Sequence, residues 1–83
     1  MRYEGMGLMA TKPYKVSPLG GGKRRSFATF EAAARFAHHQ SVASWAQEDW
    51  IIWLAGQTDA HAAVTAQGTV YDPFGRYEFA DAI

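Results

Sequence analysis

The sequence predicts an α+β domain, with a single α-helix packed on one face of a small antiparallel β-sheet in a ββαββ-like order. Three observations carry that expectation. Residues 29–47, TFEAAARFAHHQSVASWAQ, hold apolar and small side chains at helical spacing. Residues 50–55, WIIWLA, form an apolar run rich in aromatic and β-branched residues, as buried strands are. Around these two lie shorter runs punctuated by glycine and proline, the pattern of strands joined by turns. The chain has 83 residues, enough for one small domain over 1–83, with residues 1–11 expected to be loosely held and 73–83 to form a tail.

Taken in order, Tyr14-Lys15-Val16-Ser17 alternates in polarity and reads as a strand. Pro13 and Pro18 flank it and lack N–H groups, which predicts a place at the sheet edge. The three glycines 20–22 turn the chain into Lys23-Arg24-Arg25-Ser26-Phe27, which reads as the second arm of a β-hairpin or, alternatively, as a loose basic loop with no second strand. In the helix, Phe30, Ala33, Ala34, Ala37, Ser41, Ser44 and Trp45 fall on one stripe, with Phe36 and His38 toward its edges. Thr29 is placed to cap it and Glu31 to sit at the positive end of its dipole. Alanines in the middle of the stripe allow close approach to the sheet, with Phe30 and Trp45 expected to grip at either end.

After WIIWLA, Gly56 and residues 57–60 form a turn, HAAVTA returns antiparallel, and Gln67-Gly68 turns the chain into Thr69-Val70-Tyr71-Asp72. Pro73 ends that strand. The central run is apolar on both sides: Trp50, Ile52 and Leu54 point one way, Ile51, Trp53 and Ala55 the other. One helix covers only one of these faces. The second is expected to be covered by the aromatic tail (Phe74, Tyr77, Phe79, Ile83), by a second copy of the chain, or by a foreign protein.

Composition narrows the function. Apolar residues at 48% argue for a folded chain. The absence of cysteine excludes disulfides and thiolate metal sites and fits a reducing cytosol. No apolar run approaches the length of a membrane span, and the N-terminal stretch lacks the apolar segment of a signal peptide. Net charge is zero but unevenly spread. In residues 1–40 seven cations stand against Glu4 and Glu31, leaving +5, and in residues 41–83 Arg76 stands against six acids, leaving −5. That division serves internal pairing or orients the molecule toward a charged partner.

No catalytic constellation is legible. His38 and His39 are adjacent on a helix, where chelation needs i, i+3 or i, i+4 spacing, so no metal is expected. GGGKRRS has the glycines of a phosphate loop without its spacing. No Cys, nucleophile elbow or Ser–His–acid cluster appears. The expectation is a protein that is not an enzyme and needs no cofactor. Lys12, Lys15, Lys23, Arg24 and Arg25, with Tyr14 and Phe27 for stacking, make nucleic-acid binding the alternative. The preferred site is a partner-binding one: Lys23, Arg24 and Arg25 at the hairpin tip, with Ile51 or Trp53 on the uncovered sheet face.

In layout, YKVSPLGGGKRRSFATFEAAARFAHHQ followed by WIIWLAGQTDAHAAVTAQGTVYDPFGRYEF resembles small phage-encoded anti-CRISPR proteins and bacterial strand–helix–strand modules. The likeness spans residues 13–79 and rests on the opening hairpin, the T-F-E-A-A helix start and the closing Gly-x-Val-Tyr strand. It implies a cytoplasmic inhibitor, in the host cell if phage-encoded, whose partner is a subunit of a CRISPR–Cas complex. The neutral total departs from the acidic DNA mimics among those inhibitors, which favours blocking of a protein surface.

Overall fold

In the computed structural model the described residues are 12–75 and the strand residues 78 and 79, with side chains described as far as residue 75. The expectation that residues 1–11 are loosely held falls outside them. The elements are β1 (Tyr14–Pro18), β2 (Arg25–Phe27), α1 (Phe30–Ala43), β3 (Trp50–Leu54), β4 (Ala62–Val64), β5 (Val70–Tyr71) and β6 (Glu78–Phe79). The strands form one antiparallel sheet in the order β2-β1-β3-β4-β5-β6. One helix on one face of an antiparallel sheet is the α+β class that the sequence predicts.

Helix α1 starts where its cap chemistry places it. The Thr29 hydroxyl accepts from the Ala32 N–H at 3.1 Å, and the Thr29 backbone is extended. Glu31 and Arg35 form an exposed i,i+4 ion pair at 2.7 Å, worth about 0.3–0.5 kcal/mol. Ala33, Ala34 and Ala37 are wholly buried against Val16, Ile52, Ala62, Val64 and Val70. These sheet residues share a face because side chains alternate along a strand, and the register sets Val16 opposite Ile52 and Ile52 opposite Ala62. Tyr14, Phe27, Phe30, Phe36 and Trp50 ring this alanine seam. Of the two orientations open from the sequence, the helix therefore faces Trp50 and Ile52.

Three expectations are corrected. The helix ends at Ala43, so Trp45 is not on the buried stripe; it is 96% exposed. The cause lies in the connection: Ser44 turns to extended backbone, and the buried Ser41 hydroxyl donates to the Glu48 carbonyl at 2.7 Å. The returning chain is thereby drawn against the helix while the turn at residues 44–47 projects Trp45 outward. Gln47 closes that turn with a positive φ of 52°.

The second correction concerns β1, which is an interior strand between β2 and β3. Pro13 lies outside it, where its carbonyl accepts from Ala55 N–H at 2.9 Å, and Pro18 is its last residue. Neither proline needs an N–H in the middle of a ladder. The edge position belongs instead to β2.

The third concerns the face opposite the helix. Ile51 is only 4% exposed and Ala63 wholly buried, with Trp53 and Tyr71 packed against them. The chain's own wide rings shield that face, so Ile51 is no free contact surface. Of the tail, only part lies within the described residues. Phe74 is exposed, and the backbone of β6 pairs with β5, extending the sheet sideways. Tyr77 and Ile83 fall outside the described residues, as does the side chain of Phe79.

Candidate protein-binding surface

The hairpin loop and the end of the helix are tied into one end of the molecule. Leu19 N–H donates to the Asp49 carbonyl at 2.9 Å, and Gly20 N–H to the Glu48 carboxylate at 2.9 Å. Ser41 anchors Glu48 from the helix side. Gly21 and Gly22 take φ values of 96° and 139°, conformations that favour glycine and let the loop reverse before β2. Leu19, Val42 and Trp45 are large apolar side chains left exposed on these segments.

The structure separates the three cations grouped by sequence. Lys23 is exposed on the loop. Arg24 lies on the face away from the helix, its guanidinium carbon 4.0 Å from the centre of the Trp53 ring. Arg25 lies on the helix face, 5.1 Å from the centre of the Phe36 ring. Arg24 immediately precedes β2 and Arg25 opens it, and consecutive residues on an extended backbone point to opposite sides; such stacking contributes about 0.5–1 kcal/mol at an exposed position. Arg24 and Trp53 are thus brought together as one unit. Arg25 belongs to the other side.

Trp53 is itself held in place. Its indole N–H donates to the hydroxyl of buried Ser17 at 2.9 Å, which fixes the ring plane under Arg24. Across the same face, the Tyr71 hydroxyl donates to Asp49 at 2.6 Å. That hydrogen bond first, then burial and the carboxylate's charge, push the Tyr71 phenol up to about 12. The two ties spread a tryptophan and a tyrosine over Ile51 and Ala63. Neither tie forms a nucleophile–base arrangement, because a phenol held neutral by a carboxylate is a poor nucleophile.

Among the described residues, the carboxylate ion pair that forms is Glu31 with Arg35, so neither Lys23, Arg24 nor Arg25 has an acidic partner there. The His38 and His39 rings lie 6.1 Å apart at 42° on the helix. Among the described residues, no group of three or more His, Cys, Asp or Glu stands close enough to hold a metal ion. His61 stands elsewhere, edge-on to Phe30 and tilted against Tyr14 beside the helix N-terminus. No helix among these residues is long and apolar enough to cross a membrane.

Sequence reasoning missed Trp45 because nothing at residues 44–47 is glycine or proline, so the helical period ran on through the true end. A signal was available for the arginines: residues 24 and 25 are consecutive in an extended segment and must diverge. Comparison with protein-family models, curated proteins and solved structures finds no match to this chain.

Proposed function

We propose that this protein is a non-enzymatic module that works by binding another protein. The recognition surface is the end formed by the 20–24 loop, the Arg24–Trp53 stack and Trp45. The observation that carries the reading is Trp45, 96% exposed beside the helix end, with Leu19 and Val42 also open to solvent. A fully hydrated indole gains most from burial in a partner, and interfaces concentrate their energy in Trp, Tyr and Arg. Ile51 leaves the proposed contact set because it lies beneath Trp53 and Tyr71; Lys23, Arg24 and Trp53 remain in it. The resemblance in layout to anti-CRISPR proteins makes an effector subunit of a CRISPR–Cas complex, met in the host cytoplasm, the first partner to test.

The experiment measures affinity for purified CRISPR–Cas effector complexes together with the melting temperature of each variant. Trp45→Ala should weaken binding at least tenfold, about 1.4 kcal/mol, with melting unchanged. Arg24→Glu should weaken binding as much, with a greater effect on association rate, while costing the fold no more than the ~0.5–1 kcal/mol of the lost stack on Trp53. A complex whose affinity ignores both variants would remove this surface from the site. Tight binding to single-stranded or duplex nucleic acid with a steep salt dependence would replace the reading with the nucleic-acid one.

A further inference from the structure

We infer that the chain pairs with a second copy of itself, β2 against β2, so that two sheets join edge to edge about a twofold axis. The inference stands apart from the protein-binding reading above and concerns the sheet edge.

Backbone hydrogen bonding decides what β2 offers. At the two ends of β1 the Pro13 carbonyl accepts from the Ala55 N–H, and the Leu19 N–H donates to the Asp49 carbonyl. Odd-numbered residues of this segment therefore turn their backbone groups to β3, and even-numbered ones to β2. The register then bonds Tyr14 to Phe27 and Val16 to Arg25, leaving the N–H and carbonyl of Ser26 pointing outward. Among the described residues β2 ends the sheet, so no further strand takes them.

Charge does not guard this edge. Cations protect an open strand when they stand over it. Here Arg24 is drawn inward onto Trp53 of β3, and Arg25 inward onto Phe36 of α1. What remains at the rim is the Ser26 backbone and, beside it on the helix face, Phe27. The Phe27 ring is tilted against Phe36 at 5.1 Å, and both rings are only half-buried.

A second copy fits this rim. A twofold axis at Ser26 sets that residue opposite its own counterpart, as a pair that exchanges both N–H···O bonds. The same register sets Arg25 opposite Phe27 of the second copy, and Phe27 opposite its Arg25, in the closer kind of pair without hydrogen bonds. Because the guanidinium already rests on Phe36, it is the apolar stem of Arg25 that meets the incoming ring. No like charges face each other, since Arg24 falls opposite Ala28. The axis stands normal to the sheet and keeps both helices on one face. Two Phe27, two Phe36 and two arginine stems then fill the space between them. A foreign strand could satisfy Ser26, but the match of Arg25 with Phe27 holds in both directions only when each strand is β2.

The test is sedimentation equilibrium of the full chain from dilute solution to ~1 mM, since so short an interface associates weakly, with amide exchange followed at the same concentrations. The chain should pass from monomer to dimer, and exchange of the Ser26 amide should slow at least tenfold. Ser26→Pro removes the outward N–H and no bond of the β1–β2 ladder, so it should weaken association at least tenfold with the melting temperature in dilute solution unchanged. Ser26→Asp and Ser26→Lys keep the backbone but set like charges face to face. Each should be monomeric alone, and their equal mixture should dimerise, which tests the register independently of the proline variant. A chain monomeric throughout, a dimer indifferent to all three substitutions, or a mixture no more associated than its components would overturn the inference. So would a Ser26 amide equally protected at every concentration, which would mean that the chain covers its own edge.

Discussion

The Ser41 hydroxyl, wholly buried on the last turn of α1, donates to the backbone carbonyl of Glu48 at 2.7 Å. This bond joins the helix end to the start of β3 and fixes the turn that exposes Trp45. Ser41→Ala leaves that carbonyl without its donor and should destabilise the fold by about 1–3 kcal/mol. Urea unfolding at equilibrium measures it. A loss within error would show that the connection is held by its other contacts.

Ala37→Glu should cost more, about 3 kcal/mol or above, since it puts a carboxylate into a seam where Ala37 has no exposure. The check is thermal unfolding followed by far-ultraviolet circular dichroism. An unchanged midpoint would contradict the helix orientation described above.

Trp45 predicts the opposite behaviour. Trp45→Phe should alter stability by less than about 0.5 kcal/mol, because nothing packs on a side chain so exposed. It should also remove most of the tryptophan emission that iodide quenches, leaving Trp50 and Trp53. If quenching persists undiminished in the variant, the indole is shielded.

Tyr71 gives a pH signature. Its folded pKa of about 12 lies above the ordinary value of 10.0, so its bond to Asp49 contributes stability fully present below pH 10 and lost as pH rises toward 12. Tyr71→Phe should remove that alkaline dependence and cost about 1 kcal/mol at neutral pH. The difference between the tyrosinate absorbance titrations of parent and variant isolates this phenol. A midpoint near 10 would mean the hydrogen bond is absent in solution.

Trp50 supplies a fourth contrast. Its ring meets Phe36 edge-on at 6.0 Å, but its buried indole N–H finds no acceptor among the described residues. Trp50→Phe removes that orphan donor with the lost volume, so its cost should fall below the 3–5 kcal/mol typical of deleting a buried aromatic. Denaturant unfolding decides, and a cost at the top of that range would imply that the N–H has a partner.

The helix start and β3 were legible because each rests on local chemistry: a threonine cap with a helical period, and an unbroken apolar run. The interior position of β1 was not. Its flanking prolines speak for an edge, and only the pairing with β3 shows that Pro13 precedes the strand and Pro18 is its last paired residue, opposite Trp50. The coverage of Ile51 was hidden for a related reason. It depends on Trp53 and Tyr71, from two strands, lying flat under hydrogen bonds to Ser17 and Asp49 that no local pattern announces. The proposed surface was half legible: Arg24 and Trp53 stood out by type, and their stacking by neither type nor spacing.

The neighbouring of β1 and β3 has a consequence for how the chain acquires its shape. These strands sit side by side, yet β2 and the whole of α1 lie between them in sequence. Closing that long connection costs chain entropy before the central pairing returns anything. During synthesis the first half therefore leaves the ribosome with its alanine seam lacking the wall that β3 supplies. A fragment ending at Gln47 should show little cooperative melting, whereas one reaching Tyr71 should regain it. Assembly waits on the emergence of residues 50–54, after which both faces close together.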